Sequence, residues 1–279
     1  MAAETETCYR HTDVETLVHC TRCSRPICPD CMTPAPVGHH CPECVAEGAR
    51  DLKRRRMTLP RPKGVSQAIV AVNIVVFVLQ MILGGATRLD VLVRMGAMVP
   101  ALVADGEYWR LLASTFLHIG VLHIALNMIG VYLFGSMIEA VLGSGRMLAV
   151  YLVTGFVASC VSYSFGSPAR IAAGASGAVF GLLGVWLTYN WRRRSLSVAQ
   201  ANVRGALLLI GVNVVLAFTL PGIDNLTHLG GLGAGVVAGL IADAPGRGTA
   251  RLALVVAGLV GMVVAGAALV AWRTAGLAS

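Results

Sequence analysis

The hydrophobic residues of this chain gather into seven long runs, all beyond residue 66 of its 279 residues. Each run is close to the roughly 20 residues that a helix needs to cross a lipid bilayer. The runs cover residues 67–84, 117–141, 147–165, 172–190, 204–220, 225–242 and 251–271. The pattern therefore predicts an all-α polytopic membrane protein with seven spanning helices.

The composition excludes several other classes of protein. Hydrophobic residues make up 56% of the chain and charged residues only 13%, whereas about a quarter of a typical soluble domain is charged. A chain of this composition is neither disordered nor a typical soluble enzyme. The net charge of +8 would suit nucleic-acid binding. Whether it indicates such a partner depends on where the cations lie along the chain.

The cations lie mostly on one side of the membrane if the spans alternate from a cytoplasmic start. Thirteen fall in cytoplasmic segments, namely Lys53, Arg54, Arg55, Arg56, Arg61, Lys63, Arg146, Arg192, Arg193, Arg194, Arg204, Arg247 and Arg251. Only five fall in outer segments, namely Arg88, Arg94, Arg110, Arg170 and Arg273. Because basic residues accumulate in cytoplasmic loops, we expect a cytoplasmic N-terminus, an outer C-terminus and no nucleic-acid partner.

A basic linker at residues 51–66 precedes the first span. By itself, the run Lys53-Arg54-Arg55-Arg56 would fit a nuclear-localisation or nucleic-acid signal. Because an apolar run follows almost at once, the cluster is better explained as an anchor at the cytoplasmic surface of the bilayer.

The first outer loop, residues 85–116, is long and mixes apolar with charged residues. It contains Tyr108 and Trp109, and both residue types are enriched at membrane interfaces. We therefore expect an amphipathic segment in the interface, with Trp109 at headgroup depth, in preference to a plain connecting loop.

The N-terminal segment, residues 1–50, differs from the rest because it holds seven of the eight cysteines. Its cysteines and one histidine form four pairs, each with two residues between the members: Cys8 and His11, Cys20 and Cys23, Cys28 and Cys31, Cys41 and Cys44. This spacing suits thiolate and imidazole ligands of tetrahedral zinc. Eight ligands complete two closed sites, so we expect two structural Zn²⁺ ions and no metal in catalysis.

The arrangement of the ligand pairs stays open. Interleaved pairing, first with third and second with fourth, is preferred to sequential pairing, and His19, His39 and His40 are spare candidates. A disulfide framework is disfavoured, because seven is odd, no signal-peptide pattern begins the chain and the topology puts the segment in the cytoplasm. The segment is similar to B-box and RING-like zinc modules, which implies a protein partner or a regulatory role.

Four polar residues lie inside spans, where polar groups are costly and often functional. His123, Asn127, Ser176 and His228 belong to spans that run from outside to inside, and each falls in the first part of its span. We therefore expect all four at a similar depth near the outer surface. The alternatives are structural: packing for the serine, and hydrogen bonding between helices for the others.

Small residues beside Ser176 and His228 predict that their helices pack closely. These are Gly174, Gly177, Gly231 and Gly235. Close packing would bring the His228 imidazole within hydrogen-bond reach of the Ser176 hydroxyl, and a base beside a hydroxyl is the minimal activated nucleophile. His123 and Asn127 are four residues apart and share a helix face, so their donors and the Ser176 amide would hold a developing oxyanion.

Together these motifs resemble the rhomboid family of intramembrane serine proteases. The resemblance is carried by Trp109-Arg110, His118, His123-x3-Asn127, Gly174-Ala175-Ser176-Gly177 and His228-x2-Gly231-x3-Gly235. It implies a core of six spanning helices at residues 67–243 and a seventh helix within residues 244–279. It also implies Ser176 as nucleophile and His228 as general base, a dyad without a carboxylate.

The resemblance implies further roles around the dyad. His123, Asn127 and the Ser176 amide would form the oxyanion hole, with His118 in the network behind it and Arg110 steadying the first loop. The family often has tyrosine four residues after the nucleophile, whereas this chain has Phe180. Phenylalanine keeps the aromatic face that orients the base but lacks the hydroxyl, so we expect activity to be retained.

The function predicted from the sequence is an endopeptidase that cuts transmembrane segments of other membrane proteins near the outer face. The alternative is a catalytically inactive scaffold that binds membrane-protein clients, although this chain keeps both the serine and the histidine. A transporter would need carboxylates within the spans, and only Glu139 is well placed. Asp224 is expected to face the outer water rather than complete a triad, and Cys160 is expected to be a small core residue.

Overall fold

The computed structural model describes residues 6–57, 64–219, 223–244 and 248–278. The chain divides into two compact units, Met1–Arg61 and Pro62–Ser279. Of the predicted cytoplasmic cations, Arg61, Lys63 and Arg247 lie outside the described residues.

The first unit contains little regular structure. Two short antiparallel hairpins pair β1 (Glu6–Thr7) with β2 (Glu15–Thr16) and β3 (Thr33–Pro34) with β4 (His39–His40), and helix α1 (Pro42–Met57) follows. Its buried cluster consists of six cysteines and Ile27. Such a small core supplies little hydrophobic stabilisation.

The second unit is helical. Its helices are α2 (Val65–Ile82), α3 (Leu89–Met95), α4 (Pro100–Ala104), α5 (Arg110–Ala113), α6 (Val121–Gly130), α7 (Ser136–Leu142), α8 (Ser144–Phe165), α9 (Ser176–Trp191), α10 (Ser197–Thr219), α11 (Asn225–Ala242) and α12 (Gly248–Ala278). A π-helical turn, Val131–Gly135, joins α6 to α7 into one long helix.

Each of the seven predicted spans falls on one of these long helices, which confirms a mostly helical membrane protein. Among the described residues, six helices are long and apolar enough to cross a bilayer. Helix α9, at the fourth predicted span, is the remaining one. It has only 16 residues and is shorter than the roughly 20 that a span needs. It packs against α8, α10 and α11.

Several helix boundaries differ from the predicted runs, and three of them bear on the arrangement of the helices. Helix α6 begins only at Val121, because Leu117 is extended and Gly120 has a φ of +86°. Helix α9 begins at Ser176, because Ala172 forms an antiparallel bridge with Met98 and Gly174 has a φ of +145°. Helix α10 begins at Ser197, before the predicted run. The run starts only at residue 204 because the first turns of the helix contain polar residues.

The outer helices expose large apolar side chains to the surroundings. Ile82 of α2, Leu208 of α10 and Val264 of α12 are each more than 60% exposed. Soluble proteins rarely expose extended apolar surface, whereas lipid-facing helices require it. This distribution supports the assignment of these helices as spans.

The buried carboxylate of Glu139 in α7 caps the N-terminus of α2. It accepts hydrogen bonds from the backbone N–H groups of Val65 and Ser66, both at 3.1 Å, and from the hydroxyls of Ser66 at 2.6 Å and Ser144 at 2.7 Å. The first N–H groups of a helix have no partner within the helix, so this contact satisfies them. The one carboxylate that would suit a transporter therefore has a structural role.

The last helix, α12, packs along α8. Cys160 of α8 is fully buried, and a Cβ atom placed on Gly266 of α12 would lie 3.2 Å from its sulfur. Nearer the end of both helices, the hydroxyls of Tyr163 and Thr274 are hydrogen-bonded at 2.8 Å. Cys160 is thus a small core residue, as expected.

Candidate active site

Ser176 is the first residue of α9. The chain reaches it through Gly174, whose φ of +145° is rarely adopted by residues with a side chain. The N–H of Gly174 donates to the carbonyl of Ser114 at 2.9 Å, and that of Ala175 donates to His118 Nε2 at 3.4 Å. The serine therefore stands on a turn that is held from two sides, at a helix N-terminus where free N–H groups favour an anion.

Helices α9 and α11 approach each other closely at glycines. A Cβ atom placed on Gly231 would lie 2.1 Å from the carbonyl oxygen of Gly177, and one on Gly235 would lie 2.1 Å from that of Gly181. Both distances are far inside van der Waals contact, so no side chain fits at either position. The two glycines that follow His228 thus bring the first turn of α11 beside the first turn of α9.

His228 lies in that turn of α11, and its imidazole stacks on the ring of Phe180. The ring centroids are 4.4 Å apart and the planes are inclined by 11°. Phe180 follows Ser176 by four residues, so both side chains project from one face of α9. The imidazole therefore lies beside the face of α9 that begins with Ser176. Ser176 and His228 are both partly exposed.

His123 presents a proton donor near the serine. The N–H of Ile119 donates to His123 Nδ1 at 3.3 Å, so the neutral imidazole carries its proton on Nε2. A Cβ atom placed on Gly174 would lie 2.9 Å from that Nε2 and 3.7 Å from Ser176 Oγ. The imidazole N–H and the hydroxyl thus flank one small space, which the missing side chain of Gly174 leaves open.

Asn127 and His118 are buried behind these groups. Asn127 Nδ2 donates to the carbonyl oxygen of His123 at 2.8 Å, so this bond runs along its own helix and leaves a second N–H on the amide. The His118 ring meets the His123 ring edge-on, with centroids 5.3 Å apart. Both residues support the position of His123.

Gln80 belongs to this network although no sequence pattern points to it. Its side chain is fully buried on α2. Its Oε1 accepts from the His118 N–H and its Nε2 donates to the His118 carbonyl, both at 3.1 Å. The partner is backbone 38 residues away in the chain, and for that reason motif analysis does not find it.

Arg110 holds the first outer loop together from a buried position. Its Nη1 donates to the carbonyls of Val93 at 2.7 Å and Ala97 at 3.1 Å, and its guanidinium pairs with Glu107 at 2.8 Å. Its Cζ lies 4.8 Å from the ring centre of Trp109. The loop contains the short helices α3, α4 and α5, and Arg110 joins the end of α3 to the start of α5.

Asp224 caps α11. Its carboxylate accepts from the Thr227 N–H at 3.2 Å, from the Thr227 hydroxyl at 2.7 Å and from the Ser162 hydroxyl. Arg170 lies 3.8 Å away, and the Asp224 side chain is only 15% exposed. The prediction that Asp224 faces the outer water is therefore wrong, because the helix N-terminus draws the carboxylate inward.

The eight predicted metal ligands form two clusters in the first unit. One cluster contains Cys8, His11, Cys28 and Cys31, and the other contains Cys20, Cys23, Cys41 and Cys44. Within each cluster the ligand atoms lie within 4.8 Å of one another. The pairing is interleaved, and neither cluster includes the spare candidates His19, His39 or His40.

The spacing of the ligand atoms fits a tetrahedral metal. Bonds of about 2.3 Å to sulfur and about 2.0 Å to nitrogen place neighbouring ligand atoms roughly 3.5–3.8 Å apart. The sulfurs of Cys23 and Cys41 are 3.7 Å apart, and His11 Nδ1 lies 3.5 Å from the Cys31 sulfur. All of these cysteines are free thiols, since a disulfide would need about 2.05 Å.

The thiols within a cluster ionise differently. Burial and the neighbouring thiols raise the pKa of Cys31 to about 11. Burial also opposes ionisation of Cys8, but backbone N–H donors, led by that of Arg10, lower its pKa to about 6. Such a set holds thiolate and thiol together, and a bound metal would displace the remaining protons.

The chain is similar to known proteins over its helical unit. A family model described as "Rhomboid domain" matches residues 105–244. Rhomboid protease GluP of Bacillus subtilis (strain 168) is 38% identical over 181 residues, which are 64% of this chain and 35% of the relative. RHOMBOID-like protein 4 of Arabidopsis thaliana is 38% identical over 149 residues, which are 52% of this chain and 37% of the relative.

A third relative is similar over a larger share of its own length. Putative rhomboid protease YdcA of Bacillus subtilis (strain 168) is 35% identical over 130 residues, which are 47% of this chain and 65% of the relative. The chain thus spans between about a third and two thirds of the length of these three relatives.

Proposed function

The chain belongs to the rhomboid family, and we propose that it is an intramembrane serine endopeptidase with Ser176 as nucleophile and His228 as general base. The observation that carries the proposal is the stacking of the His228 imidazole on Phe180, 4.4 Å between centroids. It holds the base beside the face of α9 that Ser176 begins. GluP is named a rhomboid protease, and YdcA is named a putative rhomboid protease.

In the first half of the reaction, His228 takes the proton of the Ser176 hydroxyl as the oxygen attacks the scissile carbonyl. The carbonyl becomes a tetrahedral oxyanion. His228 then donates the proton to the leaving amine, and Ser176 remains acylated. Water repeats the sequence with His228 as base, which releases the second product and restores the serine.

The oxyanion would be stabilised by donors fixed before the reaction begins. His123 Nε2–H lies beside the space above Ser176, and the Ser176 backbone N–H is free as the first of the helix. The second N–H of Asn127 supplies a further donor. Removing one such donor from a preorganised site typically costs about 10²–10³ in kcat.

The substrates in this proposal are membrane proteins with a transmembrane segment cut near the outer face. A carbonyl in an intact helix is hydrogen-bonded and shielded, so the segment must unwind locally. We expect small or helix-breaking residues near the cut. The distribution of cations supports a cytoplasmic N-terminus and an outer C-terminus.

The cysteine-rich unit in this proposal binds two structural Zn²⁺ ions. Soft thiolates with imidazole and four ligands per site favour Zn²⁺. When bound, zinc would supply folding energy, and in the second cluster it would also link Cys20 and Cys23 to Cys44 at the start of α1. The closed ligand sets leave no position for a reacting water, so the metals have no part in peptide cleavage.

The test is cleavage of a single-span substrate by the purified full chain in liposomes. We expect cleavage by the native protein and a loss of at least about 10³-fold in Ser176→Ala and in His228→Ala. Ser159→Ala, a buried serine of α8, is the matched control and should remain active. Cleavage by Ser176→Ala at the native rate would refute the dyad, and binding without cleavage by the native chain would indicate a scaffold.

A further inference from the structure

Gln80 is a polar side chain placed fully inside the protein on an apolar spanning helix. Burying an amide without hydrogen bonds costs several kcal/mol in hydrocarbon-like surroundings, so its partners matter. Both ends of the amide are used, because Oε1 accepts from the His118 N–H and Nε2 donates to the His118 carbonyl. The side-chain amide thus bonds to both the N–H and the carbonyl of His118, as the backbone of a neighbouring β-strand would.

The segment that Gln80 holds has no secondary structure of its own. Leu117 is extended, Gly120 has a φ of +86° and α6 starts only at Val121. The peptide groups of His118 therefore have no helical partners. Because His118 is fully buried, water does not replace them, and the amide of Gln80 fixes the segment instead.

Two parts of the proposed active site are positioned by this segment. On one side, the N–H of Ile119 donates to His123 Nδ1 and so leaves the ring proton on Nε2, which flanks the same small space as the Ser176 hydroxyl. On the other side, the His118 ring accepts from the N–H of Ala175, the residue before the serine. A shift of the 118–119 backbone would move both the oxyanion donor and the turn that carries the nucleophile.

We propose that Gln80 is a positioning residue for the oxyanion hole: its side-chain amide anchors the His118 backbone and thereby orients His123 against Ser176. This inference rests on the proposed function for its kinetic consequence. The described hydrogen bonds of its side chain go to His118 alone, so the side chain acts through the segment and not on the reacting atoms. Oxyanion donors act in the transition state more than on bound substrate, so kcat should fall while KM changes little.

The test compares Gln80→Met with a matched control on the same helix. Methionine keeps the length and approximate volume but removes both hydrogen bonds. Asn73→Leu is the control, because Asn73 is also fully buried on α2 and its amide donates to Ile69 of the same helix. We expect kcat to fall about 10- to 100-fold in Gln80→Met, with KM within about twofold, and kcat within about twofold of native in Asn73→Leu.

A second readout does not depend on activity. Backbone hydrogen exchange across residues 117–120 should become faster in Gln80→Met and stay native-like in Asn73→Leu. Unchanged exchange, or an equal loss of kcat in both variants, would overturn the positioning role. An inactive native protein or an active Ser176→Ala would instead refute the protease proposal, and the exchange result would still decide whether Gln80 anchors the segment.

Discussion

The imidazole of His228 lies flat against the phenyl ring of Phe180, with centroids 4.4 Å apart and planes inclined by 11°. The contact restricts rotation of the imidazole and holds it beside the face of α9 that carries Ser176 and Phe180. It uses the aromatic face alone, since phenylalanine has no hydroxyl. The proposed base is thus oriented by packing, and among the residues that the structure describes no carboxylate is hydrogen-bonded to its imidazole.

Loss of this stacking should slow the reaction. In Phe180→Ala the imidazole gains freedom, and because an aromatic pair contributes about 0.5–1.5 kcal/mol, kcat should fall by roughly 2- to 10-fold. Phe180→Tyr keeps the face and should retain activity within about twofold. Steady-state cleavage of a single-span substrate measures both. A native kcat in Phe180→Ala would show that the stacking does not orient the base.

Asp224 should be dispensable for the chemistry if it only caps α11. Asparagine is about as good an N-cap as aspartate, so Asp224→Asn should cleave substrate within about threefold of the native rate. In a Ser-His-Asp triad the same change costs about 10⁴ in kcat. Asp224→Ala removes the cap and should lower the stability of the helix by about 1 kcal/mol. A loss of activity in Asp224→Asn as large as that in His228→Ala would indicate a triad.

The approach of α11 to α9 should be sensitive to a single methyl group. In Gly235→Ala the new Cβ would lie 2.1 Å from the Gly181 carbonyl, so the helices must separate, at a cost of roughly 1–3 kcal/mol. Gly233 on the same helix has no atom within 4 Å of a Cβ. Gly233→Ala should therefore be neutral or slightly stabilising.

Thermal unfolding in detergent micelles compares these two glycine variants. We expect a lower midpoint and reduced cleavage for Gly235→Ala, and a native or higher midpoint for Gly233→Ala. Equal midpoints for the two would contradict the close packing of the helices.

The zinc content of the purified full chain tests the two closed clusters. Elemental analysis should find two zinc ions per chain. Cys20→Ser removes a ligand from one cluster and should leave about one ion, whereas Cys160→Ser, which changes a cysteine buried against α12, should keep two. A native chain without bound metal, or a Cys20→Ser variant that keeps two ions, would contradict the assignment.

Much of this arrangement could be predicted from the sequence, because it depends on local patterns. Apolar runs mark the helices, and the glycines beside Ser176 and His228 mark a close helix contact. The regular spacing of cysteines marks metal ligands, but both pairings satisfied the same spacing, and only the folded hairpins decide between them. The role of Gln80 could not be predicted, because its side chain bonds to the backbone of His118 and backbone groups are the same in nearly every residue type.

Helix ends were the least predictable feature. The apolar residues of the second run extend back to Leu117. The helix nevertheless starts only at Val121, because Gly120 before it has a positive φ. Asp224 is expected to face the outer water, whereas its carboxylate caps α11, because aspartate is a favoured N-cap residue. An aspartate at this position predicts a helix N-cap, and the low exposure of the Asp224 side chain agrees with that role.

Covalent labelling decides whether Ser176 is a nucleophile activated by His228. The full chain in detergent would be treated with a serine-reactive fluorophosphonate, digested and analysed by mass spectrometry. We predict one adduct, on the peptide that contains Ser176, absent in Ser176→Ala and formed at least about 100-fold more slowly in His228→Ala. No adduct on the native chain would show that Ser176 is not a reactive nucleophile, and labelling of His228→Ala at the native rate would show that His228 does not activate it.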